Sequence, residues 1–192
     1  MPVGDLDRAT SRRILQPITD YRQGVRLAED SGPALSTDLR SITSDIPGAR
    51  LRGVRVKGIA RLEEKIAAGK PPATISDYLG GRIEVDSVGD ANKVAAALHA
   101  RYRVLDDENF LDRPKIGYRA RHLQVQLKNG LSAEVQLVPR EIAQVQDEAH
   151  RHYEGLRSAT ATLQQHQAAT AASARIFDAA WERFQARASG RG

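Results

Sequence analysis

The sequence predicts an α+β domain: a small mixed β-sheet flanked by helices, with extra helices at both ends of the chain. Three observations predict it. Apolar residues recur at three- and four-residue steps near both termini, which is helical periodicity. The middle of the chain alternates apolar and polar residues in short runs, which is strand periodicity. Two of those runs flank Asn129-Gly130, a strong signal for a tight hairpin. Helices, then mixed strands and helices, then helices again, point to one sheet with helices packed on it. A chain of 192 residues suits one domain with a sizeable core. Its expected parts are a helical layer over 1–48, a core over 49–157, and a C-terminal helix and tail over 158–192.

Each element has its own signal. Ile14, Ile18, Tyr21, Val25 and Ala28 form one apolar stripe, so residues 5–30 are expected to be helical, with Pro17 kinking the helix or opening a second one. Ser31-Gly32-Pro33 is expected to end it, and a short helix over 35–44 to stop at Pro47-Gly48. Residues 50–57 read as a strand and 59–68 as a helix, with a loop at Gly69-Lys70-Pro71-Pro72. Ile75 to Leu79 suggests one helical turn, and Arg82 to Asp86 a half-buried strand. Asp90 to Ala100 is an Ala-rich helix, Tyr102 to Leu105 a short strand, and Asp106 to Lys115 a loop. Arg121–Leu127 and Ser132–Val138 form the hairpin, apolar on one face (Leu123, Val125, Val135, Leu137) and polar on the other (His122, Gln124, Glu134, Gln136). Pro139 is expected in the first turn of a long helix with the stripe Ile142, Val145, Ala149, Tyr153, Leu156. A last helix over 171–188 carries Ile176, Ala180, Trp181 and Phe184.

Composition narrows the function classes. The formal net charge is +5, from 29 basic and 24 acidic residues, which suits an anionic partner such as nucleotide, RNA or an acidic protein. There is no cysteine, which excludes disulfides, thiolate catalysis and Cys-based zinc sites and fits a cytosolic protein. No run of 18 apolar residues exists, so no membrane span is expected. The start, Met1-Pro2-Val3-Gly4-Asp5, lacks the regions of a secretory signal. His122, His150 and His152 lack a further ligand at zinc spacing; a P-loop and a Gly-x-Ser-x-Gly nucleophile elbow are absent too.

The chemistry concentrates around Asp77-Tyr78-Leu79-Gly80-Gly81-Arg82 and Glu134-Val135-Gln136. These place two carboxylates on or beside neighbouring strands. Mg²⁺ takes hard oxygen ligands, commonly one or two carboxylates plus phosphate oxygens. Glu134 sits mid-strand on a polar face, where Glu is disfavoured without a reason. Arg55, Lys57, Arg61 and Lys65 can converge at a strand-to-helix corner, as a triphosphate needs several cationic donors. In the loop Gly117-Tyr118-Arg119, after Pro114-Lys115, Tyr118 can stack on a nucleobase.

In order, the motifs are Arg55-Val56-Lys57, Glu64-Lys65, Asp77 to Ile83, Pro114 to Arg119 with His122, Glu134 to Leu137, and His150-Arg151-His152-Tyr153. This series, over roughly residues 50–157, resembles the RelA/SpoT-type alarmone synthetase domain. The resemblance implies a nucleotidyltransferase-like fold. It implies an ATP-dependent pyrophosphokinase that moves the β and γ phosphates of ATP to a nucleotide 3′-hydroxyl. By it, Asp77 and Glu134 are the catalytic pair and hold Mg²⁺, with Glu134 activating the hydroxyl. Arg55 and Arg82 sandwich the ATP adenine; Lys57, Arg61 and Lys65 bind the triphosphate. Tyr118 stacks on the acceptor base, with Lys115, Arg119, His122 and Gln136 beside it.

The chain departs from the family pattern chiefly on the acceptor side. Gly58 follows the Arg-x-Lys where Ser is usual. Ile116 precedes Gly-Tyr where Asn is usual, and Ala120-Arg121-His122 replaces Ser-Leu-His. Gln136-Leu137-Val138-Pro139 replaces Gln-Ile-Arg-Thr. The donor half is kept and the acceptor half altered, and 192 residues leave no room for the hydrolase domain of the long bifunctional members. Both features resemble the small toxin members, which act in the cytoplasm, are held by an immunity protein or antitoxin, and include effectors delivered into a target bacterial cell. The expected acceptor is a purine nucleotide, adenine nucleotides ahead of GDP or GTP. The tRNA 3′ end, an inactive nucleotide-binding module, and a partner-docking surface on the flanking helices are the other readings.

Overall fold

The computed structural model describes residues 15–154 and 162–190. The order is α1 (Tyr21–Ser44), β1 (Ala49–Val56), α2 (Ile59–Ala67), β2 (Leu79–Val85), α3 (Val88–Arg101), β3 (Arg103–Asn109), β4 (Arg121–Gln126), β5 (Ser132–Pro139), α4 (Arg140–Glu154) and α5 (Leu163–Ser189). The five strands form one mixed sheet in the order β1-β2-β5-β4-β3. Only β2 and β5 pair in parallel, with Gly80 opposite Glu134 and Arg82 opposite Gln136. The α+β class and the hairpin are as the alternation implies. Leu127 and Leu131 close the β4–β5 turn, with Gly130 at φ 84°.

The sheet separates two apolar layers. Behind it, Leu79, Ile83, Leu123, Val125, Val135 and Leu137 pack against α1 and α3 through Leu35, Leu39, Val94 and Leu98, all buried. In front, Val138, Ile142, Ala149, Phe177 and Ala180 join α4 and α5 to one end of the sheet. The rest of the front face carries Arg82, Glu134, Gln136 and His122, so the polar side of the strands is turned to a cleft. No described helix is long and apolar enough to cross a membrane.

Several elements differ from expectation. Residues 5–14 lie outside the described residues, and Gln16 to Ile18 are not helical: the Gln16 amide donates to Ala73 O at 2.8 Å, and Ile18 is buried. One helix, α1, runs through Ser31-Gly32-Pro33 to Ser44, capped by Asp20, whose Oδ1 accepts from Arg22 N at 3.1 Å. Proline removes one helical hydrogen bond, yet burial of Leu35, Leu39 and Ile42 on the sheet carries the helix past it. The turn before β2 is a 3₁₀ turn at Pro72–Thr74, and β2 begins at Leu79, so Gly80-Gly81 lie inside a strand. Gly81 is needed there because a Cβ would come 2.5 Å from Leu39 Cδ1, whereas Gly80 forms floor of the front cleft.

Strand β3 extends to Asn109, taking in residues expected to be loop. It is an edge strand, which tolerates charge, and Asp107 pairs with Arg121 at 2.7 Å. Pro139 ends β5 instead of starting α4. The side chains of Tyr153 and Leu156 lie outside the described residues, as do those of His150 and His152. Helix α5 starts at Leu163, not 171, because Thr162 and Gln165 form a capping box.

Candidate active site

Two cavities adjoin on the front face. The larger, about 690 Å³, is lined by Arg52, Arg55, Lys57, Asp77, Gly80, Gly81, Arg82, Glu134 and Gln136, with Gln146 and Asp147 from α4. The smaller, about 270 Å³, is lined by Lys115, Ile116, Tyr118 and His122, by Gln136, Gln146 and Ala149, and by Ser173 and Phe177 of α5. Gln136 and Gln146 line both and form the wall between them. The larger volume is in the range of nucleotide-sized ligand sites.

The parallel pairing of β2 and β5 brings the acids together: Asp77 sits just before β2, and Glu134 lies opposite Gly80. Lys57 Nζ donates to Asp77 Oδ2 at 2.6 Å, and Lys65 Nζ donates to Oδ1 and Oδ2 at 2.8 and 2.9 Å. Burial pushes the Asp77 carboxyl up, but the two ammonium groups outweigh it and hold it below the usual carboxylate range. Burial pushes the Lys65 ammonium down, opposed by Asp77. Glu134 Oε2 accepts from Gln136 Nε2 at 2.5 Å, and Gln136 Oε1 accepts from Arg82 Nη2 at 3.3 Å. Glu134 Oε1 lies 3.7 Å from His122 Nδ1. Burial, helped by Arg82 and opposed by Glu134, lowers the His122 imidazole below its ordinary value.

Tyr118 stands at the head of the smaller cavity. Its hydroxyl is 3.1 Å from His122 Nε2, and its ring meets Phe177 edge-on at 5.4 Å and His122 at 5.8 Å. Burial raises its phenol pKa. Lys115 and Tyr118 exchange backbone hydrogen bonds of 3.1 and 2.9 Å, closing a tight turn over Ile116-Gly117.

Two expected site residues point elsewhere. Arg119 Nη1 donates to Leu111 O at 3.0 Å and its guanidinium lies over the Trp181 ring at 4.7 Å, lining neither cavity. Arg61 is exposed and pairs with Glu64 at 3.0 Å, a residue ahead of the turn that carries Lys65. Conversely, Arg52, Gln146, Asp147, Ser173 and Phe177 line the site without having been singled out. Gln146 interrupts no local pattern, although its Oε1 is buried with no hydrogen-bond partner among the described residues. Phe177 belongs to a stripe with Ala180 and Phe184 that the three- and four-residue spacing could have revealed.

The donor set fits a divalent cation: Asp77 and Glu134 line one cavity, with Asp147 at its α4 wall, and Arg52, Arg55, Lys57 and Arg82 in the same lining suit phosphate oxygens. No cluster of three or more His, Cys, Asp or Glu at metal-binding geometry occurs among the described residues.

The chain is similar to several solved structures. One is the small alarmone synthetase 1 from Bacillus subtilis bound to its product pppGpp, at 21% identity and TM-score 0.70, covering 90% of this chain and 96% of that one. A second is the type VI effector Tas1 in complex with its immunity protein, at 19% identity and TM-score 0.67, covering 84% and 96%. A third is a GTP pyrophosphokinase family protein from Streptococcus pneumoniae, at 22% identity and TM-score 0.63, covering 88% and 96%. No curated protein matches. The family model described as the region found in RelA / SpoT proteins matches residues 54–157, more than half of the chain. With that match, a mixed five-stranded sheet, and Asp77 and Glu134 facing one cation-lined cavity, the chain belongs to the RelA/SpoT family and has the fold of its alarmone synthetase members.

Proposed function

We propose that this chain is a pyrophosphokinase that transfers the β,γ-pyrophosphate of ATP to the 3′-hydroxyl of a purine nucleotide. One observation carries the proposal: Asp77 and Glu134 line one basic cavity, which shares Gln136 and Gln146 with a second, aromatic-lined one. ATP occupies the larger cavity and the acceptor nucleoside the smaller.

Phosphoryl chemistry is mostly positioning and charge neutralisation. Arg55 and Arg82 flank the ATP adenine. Lys57 and Lys65, now on Asp77, turn to the phosphates as these enter. Asp77 and Glu134 would hold Mg²⁺, which would supply charge neutralisation for the phosphates. Glu134 accepts the proton of the 3′-hydroxyl; the 3′ oxygen bonds to the β phosphorus as its bond to the oxygen of the α phosphate breaks, and AMP leaves. Gln136 keeps Glu134 aimed at the junction of the cavities. Tyr118 stacks on the acceptor base, with Lys115 and His122 beside it.

Adenine nucleotides are the favoured acceptors, because the altered positions lie on the acceptor side. GDP or GTP is the second reading, supported by likeness to a synthetase bound to pppGpp. Likeness to Tas1 with its immunity protein supports a toxin that acts in the cytoplasm of a target cell and is held by an immunity partner. The test is transfer of label from ATP marked in its β or γ phosphate, with Mg²⁺ and with AMP, ADP, ATP, GDP, GTP or deacylated tRNA offered separately. Label on a purine nucleotide is expected; label on tRNA alone, or on nothing while ATP binds, would overturn the proposal.

A further inference from the structure

The turn from Lys115 to Tyr118 is built in a way its sequence disfavours. Ile116 has φ 52° and Gly117 φ 77°, so both central residues are left-handed, as in a type I′ turn. Such turns favour Asn-Gly, Asp-Gly or Gly-Gly, because few side chains tolerate positive φ. A β-branched residue is an outlier there, and Ile116 is the one non-glycine residue with positive φ among the described residues. Gly117 leaves no slack: a Cβ on it would lie 2.8 Å from Ala174 O and 2.9 Å from Ala174 Cα. Helix α5 therefore clamps the turn, and packing of Tyr118 on Phe177 holds it further. The chain keeps a strained isoleucine where a polar or glycine residue would relax the backbone.

Strain that is retained at a ligand site suggests a use for the residue that carries it. Ile116 lines the smaller cavity and is 38% exposed, so its aliphatic surface faces whatever enters. We infer that Ile116 is a specificity-determining residue that selects adenine over guanine in the acceptor site. The inference rests on the reading of that cavity as the acceptor site. The two purines differ at C2 and at their 1 and 6 positions. The inference places the N1–C2 edge of the base against Ile116, where adenine presents a C2–H that lies against an aliphatic wall without loss. Guanine presents an N2 amine and an N1–H, which the same wall leaves without partners. A buried donor without a partner lowers affinity by about tenfold or more, whereas an extra apolar contact changes little. The turn's preferred Asn would offer a carbonyl to those donors, so the strained residue is also the one that withholds it.

Two variants separate strain from recognition. Ile116→Gly relaxes the turn and adds no polar group; Ile116→Asn relaxes it and adds an amide. Binding of ADP and of GDP is measured by calorimetry for both and for the wild-type protein, in the presence of a non-hydrolysable ATP analogue and Mg²⁺, beside thermal unfolding. Both variants are expected to unfold about 2–4 °C higher. The wild-type protein is expected to prefer ADP by about tenfold or more. Ile116→Asn should lose that preference through a gain in GDP affinity, and Ile116→Gly should narrow it less. An unchanged ADP-to-GDP ratio in Ile116→Asn, or a wild-type preference for GDP, would overturn the inference while leaving the pyrophosphokinase reading in place. Binding of neither nucleotide would overturn both.

Discussion

Lys65 donates to both carboxylate oxygens of Asp77, at 2.8 and 2.9 Å, so one ammonium covers the whole ligating edge of the acid expected to hold the metal. Lys57 reaches Oδ2 from the other side at 2.6 Å. Without nucleotide both lysines are held on Asp77, and the three side chains together keep a surplus positive charge. On the proposed reading, a bound nucleotide gives the lysines phosphates to bind and would release Asp77 to a cation. Asp77→Asn should therefore lower pyrophosphate transfer by about a thousandfold. ATP binding without Mg²⁺ should stay equal or tighten, because a carboxylate beside the phosphates is gone. Single-turnover rates and calorimetry check this. Transfer within tenfold of the wild-type rate would remove Asp77 from the chemistry.

Glu134 and Gln136 are two residues apart on one strand face, and the 2.5 Å bond between them leaves Glu134 Oε1 turned towards His122, which lines the smaller cavity. Glu134→Gln should abolish transfer, by about a thousandfold or more, while ATP affinity changes less than about twofold. Gln136→Ala should cost about ten- to a hundredfold in kcat, since Glu134 then loses its orienting donor and Arg82 its acceptor. A Glu134→Gln variant that kept its rate would show that another group takes the proton.

How far the sequence reveals this site follows from the range of the interactions. Glu134 and Gln136 are legible because strand alternation sets their face and a carboxylate is unusual there; Asp77, Lys57 and Lys65 lie outside the strands and stand out only as charges beside the strand ends and on α2. Gln146 is not legible, because it reaches the site through packing of α4 on the sheet, which no local pattern encodes; the spacing of Phe177, Ala180 and Phe184 marks a buried stripe but not its place beside Tyr118. The extent of α1 shows the same limit. Ser31-Gly32-Pro33 reads locally as a stop, but residues on both sides of it are buried on the sheet, and tertiary packing overrides propensity. Gly24 in that helix is likewise opaque in sequence: a Cβ there would lie 2.6 Å from the Tyr78 ring. Arg119 is the converse case, a cation in a motif-rich loop that turns back to Leu111 O and Trp181.

Phe177 packs against Tyr118, the residue proposed to face the acceptor base. It is buried, and its ring centroid is 5.4 Å from that of Tyr118. Phe177→Ala should destabilise the protein by about 3 kcal/mol or more. It should also raise the acceptor KM about tenfold with ATP affinity unchanged, because only one cavity loses a wall. Tyr118→Ala should show the same split between acceptor and ATP. Equal losses on both substrates, measured on protein shown to be folded, would argue against α5 as part of the acceptor site.

The far end of α5 is fastened by charge, and this makes the fold acid-sensitive. Arg187 Nε and Nη2 donate to the two oxygens of Glu141 at 2.5 and 3.1 Å. Arg187 Nη1 lies 3.2 Å from Asp86 Oδ1, a charge contact without hydrogen-bond alignment, and Arg140 reaches the same oxygen at 3.0 Å. Burial pushes the Glu141 carboxyl up, but Arg187, a backbone amide and Arg140 outweigh it and hold it below the usual glutamate value. A folded value below the unfolded one adds stability that is present above the ordinary glutamate pKa, about 4.3, and is lost as pH falls through the folded value. Glu141→Gln should destabilise the protein by about 1–2 kcal/mol at pH 7, since Arg187 keeps Asp86 as a partner. The difference should shrink towards zero as the wild-type carboxyl protonates at acid pH. Urea unfolding of both proteins from pH 7 down to about pH 3 reads this directly. A gap that stays constant across that range would mean that the Glu141–Arg187 pair contributes through shape and not through charge.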